Sequence, residues 1–200
     1  MFEHDTTLIL FGRSPFINEI SEYIPALCEK YHTMGCNYFV NSFPMVEHVI
    51  FYDDLVPEVQ PKTKIITNLG YYYDQDKKCY NLLRSHGNCE LYKIKKDSEK
   101  FSKKPSTLHM CIHTPSMAFN WAWLKGFKNV IIAGIDLTLE NREHFDKNTT
   151  PDADSNDFNK IAIQIARNHL YNIAKKHLNI YQLNPQSDLD LPKVNIADLL

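Results

Sequence analysis

The sequence predicts a single α/β domain over 1–200, with a mostly parallel sheet covered by helices on both faces. Three observations carry this expectation. Short apolar runs such as Thr7–Phe11 and Val130–Ala133 have the composition of strands buried on both faces. Two strand-like runs lead into helix start signals, Ser14-Pro15 and Thr114-Pro115, so strands and helices alternate as they do in parallel sheets built by crossovers. The 200 residues are 44% hydrophobic and 23% charged, which supplies one buried core at a length typical of one domain.

Thr7-Leu8-Ile9-Leu10-Phe11 opens the sheet and ends at Gly12. Ser14 is placed to cap the following helix, and Pro15 suits a first turn, where no backbone N–H donor is needed. Pro25 predicts that this helix ends or kinks near Tyr23-Ile24, because proline disfavours the helical conformation of the residue before it. Gly35–Val40, His48–Tyr52 and Lys64–Thr67 read as the next three strands. From Gly70 to Pro105 the pattern weakens. It holds a tyrosine cluster at 71–73, a strand at Cys89–Ile94, and a Lys/Ser/Asp/Glu-rich stretch that predicts a mobile loop at 95–105. Leu108–Ile112 is a further strand, followed by Thr114 as cap, Pro115 in the first turn, Ser116–Lys125 as helix and Gly126 as its stop. Val130–Gly134 is the clearest strand. After a polar connection, Phe158, Ile161, Ala162, Ile165, His169, Ile173 and Ala174 recur at helical spacing, and Asn179–Leu183 supplies the last strand. This order is Rossmann-like, and in such sheets ligands sit beyond the carboxyl ends of the strands, where helix N-termini present free N–H groups.

Lys+Arg 22 against Asp+Glu 24 gives a net charge of −2, which removes the electrostatic case for a nucleic-acid specialist. No apolar run approaches the ~20 residues of a membrane span. The acidic start Met1-Phe2-Glu3-His4-Asp5 lacks the basic region of a secretory signal, and five scattered cysteines fit reduced thiols without a disulfide. Both point to the cytoplasm.

Several residues at the expected carboxyl edge have chemistry to offer. Gly12 lets backbone approach a ligand, Arg13 offers a guanidinium fork and Ser14 a hydroxyl, although a tight capped turn reads the same way. Asn37 and Asp53 close strand-like runs, as ribose- or base-reading groups or as turn formers. Asp136, after Gly134-Ile135, faces a ligand or caps a loop. His109-x-Cys111-x-His113 would place three soft ligands on one strand face, but no fourth ligand is evident, so no metal site is expected. His144, in a polar stretch past the Gly134 strand, is the candidate general base, with an ordinary surface histidine as the alternative. The lysines at 93, 95, 96, 100, 103 and 104 read as a solvated loop, and an anionic acceptor or a membrane headgroup is the other reading. Trp121 and Trp123 read as packing residues.

Six segments taken in order carry a family resemblance: Leu8–Pro15, Cys36–Phe39, Val49–Asp53, Ile112–Ser116, Gly126–Asp136 and Phe145-Asp146. With these the chain resembles the bacterial CMP-sialic-acid-dependent sialyltransferases of lipooligosaccharide synthesis. More loosely, it resembles the motility-accessory-factor and archaeal hydroxymethylpterin pyrophosphokinase proteins. The resemblance implies that Gly12, Arg13, Ser14 and Asn37 surround the nucleotide phosphate and sugar, and that Thr114, Pro115, Ser116, Gly134, Ile135 and Asp136 line a cytidine pocket. It also sets Asp53 opposite an asparagine of the family, and Thr138 and Glu143 opposite its two phosphate-holding tyrosines. The family's catalytic histidine has no counterpart in Asp152–Asn159. The implied reaction is an inverting transfer of sialic acid or a related keto sugar from a CMP-sugar donor, with no further cofactor, to a bacterial surface glycan. In it, His144 is the base, and Arg13, Ser14 and Thr114 stabilise the leaving phosphate. The implied partners are that donor and a glycan acceptor, at a cytoplasmic or peripheral inner-membrane location, with homo-oligomerisation left open. Two rival expectations remain: a pyrophosphokinase-like enzyme whose Asp53 and Asp136 hold Mg²⁺ against ATP, and a non-catalytic nucleotide- or glycan-binding relative.

Overall fold

A computed structural model describes residues 2–96, 99–137 and 156–200, the side chains of 156–159 excepted. Its strands are β1 (Thr7–Phe11), β2 (His32–Cys36), β3 (His48–Ile50), β4 (Lys64–Asn68), β5 (Cys89–Lys96), β6 (Thr107–Met110), β7 (Asn129–Ala133) and β8 (Asn179–Gln182). They form one sheet in the order β6-β5-β4-β3-β2-β1-β7-β8, and every pairing is parallel. The helices are α1 (Phe16–Ile20), α2 (Ile24–Lys30), α3 (Phe39–Ser42), α4 (Leu69–Tyr73), α5 (Tyr80–Ser85), α6 (Thr114–Leu124) and α7 (Asn156–Asn172). No helix among the described residues is long and apolar enough to cross a membrane.

Alternation along β1 divides the core into two layers, because successive strand side chains point to opposite faces. Ile9 and Phe11 join Val49, Ile65 and Ile131 under Ile17, Ile20, Ile24 and Leu27 of α1 and α2. Leu8 and Leu10 join Met34, Ile50, Ile66, Val130 and Ile132 under α6, with Leu170 of α7 on the same side. Helices on both faces explain why β1 and β7 read as unbroken apolar runs. The chain lays down β1 to β6 in one direction, then returns along α6 to set β7 on the free side of β1. The strand order therefore reverses at the β1/β7 seam, where Leu8 pairs with Val130 and Phe11 with Ala133.

One local expectation needs correction. The second strand is His32–Cys36 rather than Gly35–Val40, because Asn37 takes a left-handed conformation (φ 55°) and the chain turns directly into α3. The break expected near Tyr23-Ile24 is present: α1 stops at Ile20, a 3-10 turn spans Ser21–Tyr23, and α2 starts at Ile24 with Pro25 in its first turn. Within the lysine-rich segment, Phe101 and Ser102 are buried. Phe101 is buried between Trp123 and His177, and the buried Asn120 amide accepts the Ser102 and His109 N–H groups (3.0 and 2.8 Å) while donating to the Ser102 carbonyl. Trp121 is core packing, as expected. Its indole N–H donates to Glu90 of β5 (3.1 Å), which also receives Tyr92 Oη (2.6 Å), Lys125 Nζ (2.9 Å) and Lys64 Nζ (3.3 Å). That carboxylate ties α6 across the sheet. The five cysteines are unpaired with one another.

Candidate functional site

The strand order reverses at the β1/β7 seam, and the carboxyl edge of such a reversal is the position where open α/β sheets bind ligands. The two loops meet there through backbone. The Gly12 N–H donates to the Ala133 carbonyl (2.8 Å) and the Ser14 N–H to the Gly134 carbonyl (3.0 Å). A Cβ on Gly12 would sit 2.8 Å from the Gly134 carbonyl carbon, and one on Gly134, whose φ is +69°, would sit 2.7 Å from Ile17 Cγ1. Both positions need glycine for space, and Gly134 needs it for conformation as well.

Ser14 does not cap the first helix. Pro15 holds the N-cap position, no side chain caps α1, and Ser14 Oγ is buried without a hydrogen-bond partner among the described residues. A buried hydroxyl left unpaired costs about 1–3 kcal/mol, so it is a group that a ligand oxygen would satisfy. The Arg13 guanidinium carbon lies 5.7 Å from the centre of the Tyr38 ring, which adjoins Asn37. Asn37 donates its backbone N–H to Ile50 (2.9 Å), and its Oδ1 accepts the Thr114 hydroxyl at 3.3 Å. The start of α6, which follows edge strand β6, thus reaches the end of β2.

Thr114 is the first residue of α6 rather than its cap. His113 is the cap: its Nδ1 accepts the Ser116 N–H (3.1 Å), and Pro115 occupies the first turn as expected. Ser116 closes the turn from within, accepting the Cys111 N–H (2.8 Å) and placing its hydroxyl against the carbonyls of His113 (2.7 Å) and Cys111 (3.0 Å). The preceding Ile112 is held at φ 47°, which for a β-branched residue is a strained conformation that the surrounding turn must enforce. Burial, then the nearby His169 charge, pushes the His113 imidazole down to about 3, so the cap is neutral at ordinary pH and keeps an acceptor lone pair for the helix.

Beyond the seam, Ile135 packs into the core, while the carboxylate Oδ1 of Asp136 accepts Gln182 Nε2 (3.2 Å) and Asn184 Nδ2 (3.0 Å). Asp136 is thereby fixed to the end of β8. Asp53 is exposed, and its neighbour Asp54 is the carboxylate with backbone partners, Lys78 N–H (3.0 Å) and Cys79 N–H (3.1 Å). Burial would raise the Asp54 carboxyl, but those donors outweigh it and hold it below the usual range. Asp53 follows β3 and Asp136 follows β7, three strand spacings away or roughly 14 Å, too far for the two to grip one Mg²⁺ in this arrangement. His109, Cys111 and His113 serve separate tasks: His109 Nδ1 meets the Lys100 carbonyl (3.1 Å), the Cys111 thiol faces the Ile165 carbonyl (3.8 Å), and His113 caps α6. Burial drives the Cys111 thiol up to about 11, which suits a packed thiol and not a nucleophile. His144, with Thr138, Glu143 and Phe145-Asp146, lies outside the described residues.

The arc along the edge therefore runs from His113 and Thr114 through Asn37, Tyr38, Arg13 and Ser14 to Gly134 and Asp136. Tyr38, Gln182, Asn184 and the capping role of His113 escaped the sequence reading. Only the last had a signal, since a proline in the first turn allows the cap to lie one or two residues before it. No protein-family model matches the chain, and no curated protein or solved structure matches it.

Proposed function

We propose that this chain is a glycosyltransferase that moves an acidic sugar, sialic acid or a related keto sugar, from a CMP-activated donor to a bacterial surface glycan. The observation that carries the nucleotide part is the carboxyl edge of the β1/β7 reversal, where two glycine turns touch and the Ser14 hydroxyl lies buried without a partner among the described residues. The Asn37–Thr114 contact supports the same reading, because it brings the positive end of α6 toward that edge. The choice of cytidine and of an acidic sugar rests on the sequence resemblance. In the proposed reaction a base, assigned to His144, takes the acceptor hydroxyl proton as the sugar–phosphate bond breaks. Arg13, Ser14 and Thr114 stabilise the charge on the departing CMP. A CMP-sugar donor and a nascent surface glycan place the enzyme in the cytoplasm, peripheral at the inner membrane.

Calorimetry with CMP, UMP, AMP and ATP tests the donor assignment. Preferential binding of CMP is expected, and equal or absent binding of all four would overturn it. Release of CMP from a CMP-sugar, abolished in His144→Ala while CMP still binds, is the expected catalytic result. Unchanged turnover in that variant would remove His144 from the mechanism.

A further inference from the structure

We propose that His4, Asp5 and His32 form a binding site for a divalent transition ion of the zinc class, at the end of the sheet opposite the nucleotide edge. One ligand atom from each of the three lies within 4.8 Å of the other two. Ligands around a tetrahedral ion at ~2 Å stand about 3.3 Å apart, so a contraction of up to about 1.5 Å, taken up by the exposed His4 and Asp5 side chains, closes the site. His4 and Asp5 sit on a 3-10 turn immediately before β1, and His32 is the first residue of the adjacent β2. Parallel pairing therefore brings a sequence-remote histidine beside the chain's first turn.

The immobile partner is His32. Its Nδ1 meets Glu47 Oε2 at 2.6 Å, its ring packs edge-on to Phe127 (5.4 Å), and the His4 ring lies 4.4 Å away. A carboxylate on Nδ1 fixes the tautomer that leaves the Nε2 lone pair free for a metal, which is the usual outer-shell arrangement of metal-bound histidine. His4 is itself oriented, with its Nδ1 2.8 Å from Asp5 Oδ1. Two imidazoles and a carboxylate are a donor set that suits zinc-class ions better than Mg²⁺ or Ca²⁺. With Asp5 as ligand and Glu47 behind His32, two carboxylates balance the charge of one dication. Bound metal would clamp the first turn of the chain onto β2.

The test uses tag-free full-length protein stripped with a chelator. Zn²⁺ binding near one equivalent is expected by calorimetry, with Co²⁺ giving the visible absorption of a low-coordinate site. His4→Ala and His32→Ala should each weaken Zn²⁺ binding at least tenfold, and Glu47→Gln about tenfold through loss of the outer partner. Circular dichroism separates loss of binding from loss of fold. His4→Ala is the stricter probe, since that side chain is exposed. Absence of stoichiometric binding, or binding that survives in both histidine variants and disappears on thiol alkylation, would overturn the proposal.

Discussion

Gly12 and Gly134 are in backbone contact across the β1/β7 seam, so that neither can carry a side chain without displacing the other's loop or Ile17. The relationship fixes how the two loops meet at the strand reversal and yields a direct prediction. Gly12→Ala should destabilise the fold by about 1–3 kcal/mol through overpacking and, if the edge holds a nucleotide, should abolish its binding. Gly87→Ala is the control, because a Cβ there meets nothing within 4 Å. It should leave stability unchanged or raise it by a few tenths of a kcal/mol by restricting the unfolded chain. Urea unfolding with calorimetry on both variants checks the pair.

The Asn37–Thr114 contact joins β2 to the start of α6, and its two partners can be separated by substitution. Asn37→Gly preserves the left-handed backbone at φ 55° while deleting the amide; Thr114→Val preserves shape while deleting the hydroxyl. Each should cost about 1 kcal/mol of stability. If the edge holds a nucleotide, each should also weaken CMP binding by roughly tenfold, beyond what the small loss of stability explains. Retained affinity in both would move the ligand away from the α6 end of the arc.

Glu90 makes the acid side of the stability profile specific. Burial would raise its carboxyl, but donors from Tyr92, Lys125 and Trp121 outweigh this and bring it to about 2, against about 4.5 for an ordinary glutamate. Because the native value is lower, the unfolded chain binds the proton first. The stabilisation is complete above about pH 4.5 and is lost as pH falls toward 2. Its size is on the order of 3 kcal/mol. Glu90→Gln should therefore lower stability at pH 7 and flatten the difference from the parent protein between pH 5 and pH 2, measured by denaturant unfolding at each pH.

Most of the sheet was legible because strands buried on both faces write themselves as apolar runs. Thr7–Phe11 appears with those bounds, and Val130–Gly134 shifts by one residue to Asn129–Ala133. What failed was local. The second strand was misplaced because His32–Cys36 contains a histidine, a threonine and a glycine and owes its strand state to pairing with β1 and β3. The glycine and proline signals located Gly12, Gly134 and the start of α6, since close backbone approach and a first helical turn have few residue solutions. They could not reveal that Thr114 meets Asn37 or that Asp136 is held by Gln182 and Asn184. Those contacts join residues 46 to 77 positions apart through the strand order.

His113 combines a helix cap with a titration, and the two can be uncoupled. Its Nδ1 accepts the Ser116 N–H, and burial followed by the nearby His169 charge lowers the imidazole to about 3, against 6.5 for an ordinary histidine. The unfolded chain binds this proton as pH falls through 6.5, whereas the native protein resists it until near 3. Stability should thus decline through that window by about 1.4 kcal/mol per pH unit below 6.5 from this group alone. Protonation would also remove the lone pair that caps α6, so the first turn at Thr114 should loosen before the molecule unfolds. His113→Asn keeps a capping oxygen and removes the titration. The expected outcome is a variant close to the parent at pH 8 but relatively more stable at pH 5, with the protection of the Ser116 amide relative to its intrinsic exchange rate falling in the parent as pH approaches 3 and not in the variant. Parallel pH profiles for the two proteins would show that His113 is not held neutral.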